Sequence, residues 1–201
     1  EGRDGTYLAA RDAFRAGDRA RLDRAAAQIG GHELAHYVEN YQLRMNMEQG
    51  DPAVLRSFLD RNEGSYVAEK LRADRIRWLG KRGGWSEIDV LYPQLIAPEP
   101  DVTCYFQQAR IAAGDNAVDD AKKGWLTQME PPEACQPVLE ALVVGDRVTG
   151  DEVWERVRRQ LEANRTGPAK RTLYYLPADW LLDAGAFDSL CANRRQVFES
   201  L

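Results

Sequence analysis

The 201-residue sequence predicts an all-α fold in which helical hairpins stack into a solenoid, or superhelix. Apolar residues recur with the period of a helix through most of the chain, and breaks containing Gly separate these runs at nearly constant intervals. Almost no strand is expected, since the one candidate, residues 90–96, is interrupted by Pro93 and fits a helix end followed by a loop.

The helical period is clearest in five apolar runs, at residues 7–14, 22–29, 34–45, 102–113 and 154–161. Within each run the apolar side chains are three or four residues apart, a spacing that places them on one face of a helix. Aromatic residues at helical spacing are expected to lie in the core as a group: Tyr41, Trp78, Tyr105, Phe106 and Trp125.

The breaks between the runs follow a regular pattern. They lie 33, 33, 31 and 31 residues apart, at Gly17-Asp18, Gly50-Asp51, Gly83-Gly84, Gly114-Asp115 and Gly145-Asp146. Gly can end a helix in the left-handed conformation, and Asp can cap the start of the next one. Asp51-Pro52 is an especially clear helix start, and two further starts are indicated by capping boxes at Ser86/Asp89 and Thr149/Glu152.

A helix–turn–helix unit of this length is close to a tetratricopeptide repeat, although the consensus residues of that repeat do not recur cleanly. One such hairpin cannot bury its apolar face alone, so residues 1–201 are expected to form a single α-superhelical domain. The last thirty or so residues are less regular, with breaks at Pro177 and Gly185, and no polar capping repeat closes the array. We therefore expect the chain to be a fragment of a longer protein.

The composition argues against several classes of function. The net charge is −5 and the basic residues are scattered among acidic ones, so there is no electrostatic footprint for nucleic acid. No apolar run approaches the length of a membrane span, and we expect no cofactor. The three cysteines, Cys104, Cys135 and Cys191, form no C-x-x-C pair, which argues against a zinc ribbon.

One motif suggests chemistry. His32, Glu33 and His36 match H-E-x-x-H, in which two imidazoles bind zinc and the glutamate acts as general base. The chain has only these two histidines, no partner segment for a third ligand stands out, and no sheet is expected beside the helix. We therefore expect no metal site, and a zinc metallopeptidase remains a remote alternative. The histidines should lie, partly exposed, off the apolar stripe of this helix, which consists of Leu34, Tyr37, Val38 and Tyr41.

Three segments in the same order resemble the N-terminal superhelical domain of the soluble lytic murein transglycosylases. They are residues 10–45, 58–95 and 104–142, and the resemblance extends over residues 7 to about 180. The third segment is the most specific, because it carries a Cys, two aromatics, an Ala, a Gly turn, a Trp-Leu pair, a Pro and a second Cys. In this chain these are Cys104, Tyr105, Phe106, Ala109, Gly114, Trp125, Leu126, Pro132 and Cys135.

The resemblance changes the interpretation of two features. In the family, the helix start around residue 32 commonly reads H-P-L-x-P-Y, so Glu33 and His36 replace prolines and have no zinc role. The family is periplasmic, where disulfides persist, and the resemblance implies a Cys104–Cys135 bridge. By our assignment these cysteines begin helices of adjacent repeats, which stacking would bring side by side; Cys191 would remain free.

The resemblance also implies what the chain lacks. The family cleaves the MurNAc–GlcNAc bond of peptidoglycan to a 1,6-anhydro product, using one glutamate in a C-terminal lysozyme-like domain. That domain carries Glu-Ser, Gly-Leu-Met-Gln and Ala-Tyr-Asn-Ala-Gly stretches. The sequence contains only Glu199-Ser200, with no such domain around it, so we assign no catalytic residue.

The sequence thus predicts a non-catalytic scaffold that positions substrate within a lytic transglycosylase of the periplasm of a Gram-negative bacterium. Its expected partners are peptidoglycan glycan strands, the catalytic domain of its own parent protein, and cell-wall synthesis or remodelling proteins. The alternative from another class is a stand-alone helical-repeat module that binds proteins, similar to tetratricopeptide modules.

Overall fold

A computed structural model describes residues 2–115 and 118–176, and all regular structure in these two ranges is helical. This confirms the all-α prediction for the described part of the chain. Residues 90–96 are a helix end, a short 3₁₀ turn and a loop, as the sequence predicts.

The described helices divide into two compact units, Glu1–Val102 and Thr103–Leu201. The single domain expected over residues 1–201 stays a prediction. The helices, in chain order, are α1 (Gly2–Ala16), α2 (Arg19–Ile29), α3 (Ala35–Met45), α4 (Pro52–Arg61), α5 (Tyr66–Gly80), α6 (Trp85–Leu91, continued by the 3₁₀ turn Tyr92–Gln94), α7 (Pro100–Ala112), α8 (Val118–Trp125), α9 (Gln136–Val144, preceded by the 3₁₀ turn Glu133–Cys135), α10 (Gly150–Glu162) and α11 (Thr166–Leu173).

Three of the described helix starts follow the predicted capping chemistry. The Asp18 and Asp51 side chains accept hydrogen bonds from the backbone N–H groups of the first turns of α2 and α4. At α10 the full capping box is present, with the Thr149 hydroxyl and the Glu152 carboxylate each accepting a backbone N–H of the other residue. These bonds satisfy donors that a helix start would otherwise leave unpaired.

The capping box predicted at Ser86 is wrong. Helix α6 starts at Trp85 after Gly84, so Ser86 already lies within the first turn and cannot cap it. The backbone N–H of Gly84 donates to the Leu79 carbonyl at 3.0 Å, which closes the end of α5 directly onto the start of α6. A side chain at position 84 would approach Leu79 Cδ2 to 2.6 Å, so this tight turn requires a glycine.

The predicted left-handed helix ends are present at some of the breaks. Gly17 and Gly114 have φ angles of 69° and 78°. At Gly145-Asp146 the residue with positive φ is Asp146, at 53°, and Gly145 remains at −83°. Asp adopts the left-handed conformation more readily than most residues with a side chain. At this break Asp146 therefore takes the left-handed position that was predicted for Gly145.

In the first unit, helices α1, α2 and α3 pack around a small apolar core. Its fully buried members are Ala10, Ala13, Leu22, Ala25, Ile29 and Val38. Tyr41 packs against this core only partly buried, with its ring stacked 4.8 Å from that of Phe14. Of the four residues predicted as the apolar stripe of α3, Val38 alone is fully buried, and Leu34 precedes the helix.

In the second unit, α8 to α11 pack around Trp125, which is 1% exposed. The prediction of core positions for the five aromatics as a group holds fully only for Trp125. Tyr41, Trp78, Tyr105 and Phe106 are half-buried. Helical spacing alone therefore did not give the depth of each side chain.

Within the part of the chain that the structure describes, no helix is both long and apolar enough to cross a membrane.

Candidate functional site

The H-E-x-x-H residues do not form one helical face. His32 lies in the turn before α3, where its Nδ1 accepts the backbone N–H of Leu34 at 3.1 Å and its Nε2 lies 3.7 Å from a carboxylate oxygen of Asp4. His36 lies inside α3, with its ring 4.2 Å from that of Tyr37. His32 and His36 therefore do not lie on one turn of a helix, since Gly30 and Gly31 are followed by a turn that delays the start of α3 to Ala35. Both histidines are half-buried, as predicted.

No group of three or more His, Cys, Asp or Glu side chains in the described residues is arranged as a metal site.

The second unit contains a disulfide between Cys104 and Cys135, with an S–S distance of 2.03 Å and Cα atoms 4.9 Å apart. Cys104 lies in the second turn of α7, and Cys135 is the last residue before α9. Both are almost fully buried, at 4% and 1% exposure. The bridge therefore fixes α7 to the start of α9 inside the second unit. Cys191 lies outside the described residues.

Arg156 of α10 is a buried cation that contacts Trp125 twice. Its guanidinium donates to the Trp125 carbonyl oxygen and lies 5.0 Å from the centre of the Trp125 ring. Trp125 Nε1 in turn donates to the carbonyl of Glu152 at 2.9 Å. No carboxylate among the described residues pairs with Arg156. Burial lowers the pKa of Arg156 to about 10, so the side chain stays charged at neutral pH.

A neutral polar network lies one helical turn further along α10. Gln160 Nε2 donates to the Met129 carbonyl at 3.0 Å, and its Oε1 accepts from the Thr172 hydroxyl at 2.7 Å. Both side chains are buried, at 1% and 3% exposure. Their hydrogen bonds connect α10 to α11 and to the loop after α8, which is a structural role.

Arg77 of α5 is the centre of an ion-pair network in the first unit. It donates to Asp101 at 2.6 and 3.1 Å, to Glu99 at 2.6 Å and to Asp74 at 3.1 Å. Asp74 also accepts from Arg44 Nε at 2.7 Å. The hydrogen bonds from Arg77 lower the pKa of Asp101, even though its partial burial acts in the opposite direction.

Beside this network lies a cleft of about 460 Å³, which we call the Trp78 cleft. Among the described residues, four cationic side chains line it and only one acidic side chain does. The lining residues are Phe14, Arg44, Met47, Asp74, Arg77, Trp78, Lys81 and Arg82. The cleft is therefore locally positive in a chain whose net charge is −5.

The ring of Trp78 supports two guanidinium groups. Arg75 lies 4.9 Å from the centre of the ring and Arg82 lies 4.2 Å from it. Arg75 is buried and forms two hydrogen bonds to Glu87, at 3.0 and 3.1 Å. Arg82 is exposed and donates one hydrogen bond, at 3.2 Å, to the Trp78 carbonyl. Lys81 is also exposed, and neither cation pairs with a carboxylate of the described chain.

This cleft was not predicted from the sequence, because the helical spacing of Trp78 indicated a core position. The available signal was that Lys81 and Arg82 follow Trp78 at three and four residues, which places them beside it on α5 or its end.

No family model matches the chain. Among curated proteins, it is similar to the soluble lytic murein transglycosylase of Escherichia coli strain K12, at 23% identity over 167 residues, covering 83% of this chain and 26% of that protein. The transglycosylase of Escherichia coli O157:H7 matches with the same identity and the same coverage. The chain thus spans about a quarter of the length of these relatives.

Two solved structures have the same fold over nearly the whole chain. The crystal structure of the 70-kDa soluble lytic transglycosylase of Escherichia coli superimposes with a TM-score of 0.77 at 20% identity, covering 96% of this chain and 32% of that one. A complex of the 70-kDa soluble lytic transglycosylase with bulgecin A gives a TM-score of 0.79 at 20% identity, covering 97% and 32%. The chain is a distant homologue of a domain-sized portion of soluble lytic murein transglycosylase.

Proposed function

We propose that the chain is a non-catalytic superhelical scaffold that positions peptidoglycan in a lytic transglycosylase. The observation that carries the proposal is the extent of the match: nearly all of this chain aligns with about a third of the solved transglycosylase. A match of this kind fits one module of a larger enzyme, in which another part carries the chemistry.

The solenoid arrangement is part of this proposal. Regularly spaced breaks separate the helices, and in the first unit three short helices share one small core. Such hairpins complete their cores by stacking on neighbours, and a stacked array presents an extended surface suited to a long polymer. A glycan strand is a polymer of this kind.

One feature of the sequence supports the non-catalytic part of the proposal. The Gly-Leu-Met-Gln and Ala-Tyr-Asn-Ala-Gly stretches implied for a lysozyme-like domain do not occur in the 201 residues. Formation of a 1,6-anhydro product needs one positioned acid–base carboxylate, because a hydroxyl of the sugar itself attacks; the hydrolytic scheme uses two carboxylates. Glu199 lies outside the described residues, and we assign it no such role.

The periplasm is the proposed location. A buried disulfide such as Cys104–Cys135 persists in an oxidising compartment, and murein is the substrate that the relatives' name states. The proposed partners are peptidoglycan strands, the catalytic domain of the parent protein, and cell-wall synthesis or remodelling proteins.

Co-sedimentation with purified peptidoglycan sacculi tests the binding part of the proposal. The protein is mixed with sacculi at increasing concentration, and the pelleted fraction is compared with that of an unrelated acidic helical protein of similar size. We expect saturable pelleting of this chain only. If it pellets no better than the control protein, the peptidoglycan-binding role is wrong, and the alternative of a protein-binding module gains support.

A further inference from the structure

We propose that the Trp78 cleft binds carboxylate groups of peptidoglycan through Lys81 and Arg82. The inference rests on the proposed function and extends it, because it names the chemical group that is recognised and the residues that recognise it. The occupant is one muramyl unit with a free carboxylate, which belongs to the sugar's lactyl group where no peptide is attached and otherwise to the attached peptide.

The charges of the cleft are compensated unequally. The cations at its inner side are neutralised within the protein, since Arg44 pairs with Asp74 and Arg77 pairs with Asp74, Glu99 and Asp101. Lys81 and Arg82 have no such partner among the described residues. Two uncompensated cations at adjacent positions beside a concave surface favour an anionic ligand.

Arg82 is held in place before any ligand arrives. Its guanidinium lies 4.2 Å from the Trp78 ring centre, and one of its N–H groups donates to the Trp78 carbonyl at 3.2 Å. A guanidinium has five N–H donors in a planar fork, so most of them remain available to a carboxylate. Less side-chain freedom is lost on binding when the cation is already stacked on a ring.

The size and lining of the cleft fit a sugar unit that carries an acid. Its volume of about 460 Å³ falls within the usual range of ligand pockets, which is roughly 300–1,000 Å³. Phe14, Met47 and the edge of Trp78 supply apolar surface next to the cations. A carboxylate-bearing glycan offers both matching surfaces, the apolar faces of the sugar ring and the acid.

Lys81 and Arg82 could instead serve only the end of α5, where the partial negative charge of the last carbonyls favours cations. That effect stabilises a helix by about 0.3–1 kcal/mol and involves no ligand. The two roles are separable, because the structural role changes the melting temperature of the protein and the recognition role changes its binding to peptidoglycan.

The experiment compares the wild type with K81A/R82A and with the control R24A/R56A. The control removes two cations that are exposed, do not line the cleft and lie in the same unit. Each protein is sedimented with native sacculi and with sacculi whose carboxylates have been converted to amides by carbodiimide and ammonia. Circular dichroism melts establish that all three proteins are folded at the assay temperature.

We expect the wild type and R24A/R56A to bind native sacculi alike, and K81A/R82A to bind at least tenfold more weakly. Amidation should weaken wild-type binding by a similar factor. If the wild type binds while K81A/R82A or amidated sacculi show no loss, the cleft proposal is wrong and the proposed function stands. If the wild type does not bind native sacculi, both are wrong. Binding of the same proteins to a poly-glutamate peptide is measured in parallel. If K81A/R82A loses binding to this peptide but not to sacculi, the cleft is a site for acidic protein segments, which also contradicts the proposal.

Discussion

Arg77 of α5 donates two parallel hydrogen bonds to Asp101 in the first turn of α7, of 2.6 Å from Nε and 3.1 Å from Nη2. The same guanidinium also donates to Glu99 and Asp74. One cation therefore binds a carboxylate of α5 and two carboxylates at the start of α7 and just before it. Bidentate pairing of this kind fixes both distance and orientation. The pair therefore positions the N-terminal end of α7 against α5, and Arg77 also lines the Trp78 cleft.

Replacing Asp101 by Asn should destabilise the protein by about 1–2 kcal/mol at pH 7, because a charge-assisted pair is reduced to a weaker hydrogen bond. The pKa of Asp101 is lowered in the folded protein, so its contribution is fully present above its ordinary pKa of about 4 and is lost as the pH falls through the lowered value. Urea denaturation should show a difference between D101N and wild type that shrinks at low pH. In the control D60N, where the exposed carboxylate has no ion pair with any described residue, the effect should be small at every pH.

The Cys104–Cys135 bridge gives a second prediction. It closes a loop with a sequence separation of 31 residues, for which the chain-entropy model gives about 3–4 kcal/mol of stabilisation. The double variant C104A/C135A should lose roughly this amount in urea denaturation under non-reducing conditions. Thiol titration of the denatured, unreduced wild type should find one free thiol, that of Cys191. A count of three would show that the bridge is not formed.

Removing the buried cation should be more costly than removing an exposed neighbour. R156A leaves the Trp125 carbonyl without its donor and creates a cavity beside the Trp125 ring, so we expect a loss of about 2–4 kcal/mol. R158A removes an exposed cation of the same helix and should change stability by less than about 0.5–1 kcal/mol. Denaturation midpoints of the two variants give the comparison. Equal losses would contradict a structural role for Arg156.

Metal analysis tests the zinc alternative. His32 uses Nδ1 as an acceptor for Leu34, and His36 lies within α3 against Tyr37, so we expect purified protein to contain no stoichiometric zinc after dialysis against trace zinc. H36A should match the wild type in zinc content and peptidoglycan binding. One equivalent of zinc in the wild type that is lost in H36A would overturn the interpretation of this turn.

The helical architecture was accessible to sequence reasoning because it depends on local signals. The spacing of apolar residues marked the helices, and side-chain caps such as Asp51 and Thr149 marked their starts. Local signals failed where backbone geometry decided the boundary. The Gly83-Gly84 turn begins α6 at Trp85, so the hydroxyl of Ser86 is never in the capping position.

The candidate site was far less accessible, because its character depends on residues that are distant in the sequence. Phe14, Arg44 and Lys81 meet at one cleft only after α1, α3 and α5 have packed. The spacing of Trp78 is equally compatible with a core position. Arg75 and Arg82, three residues before it and four after it, indicate cations near its ring but not that the ring lines a cleft. Which cations remain uncompensated depends on where Asp74, Glu99 and Asp101 lie, and this is known only from the fold.

A single assay of sacculi incubated with this protein tests the central claim, that the chain holds peptidoglycan without cleaving it. The pellet is assayed for bound protein, and the supernatant is analysed by chromatography and mass spectrometry for 1,6-anhydro-muropeptides. We expect bound protein in the pellet and no more anhydro product than in buffer alone. Release of anhydro-muropeptides that grows with protein concentration and time would contradict it.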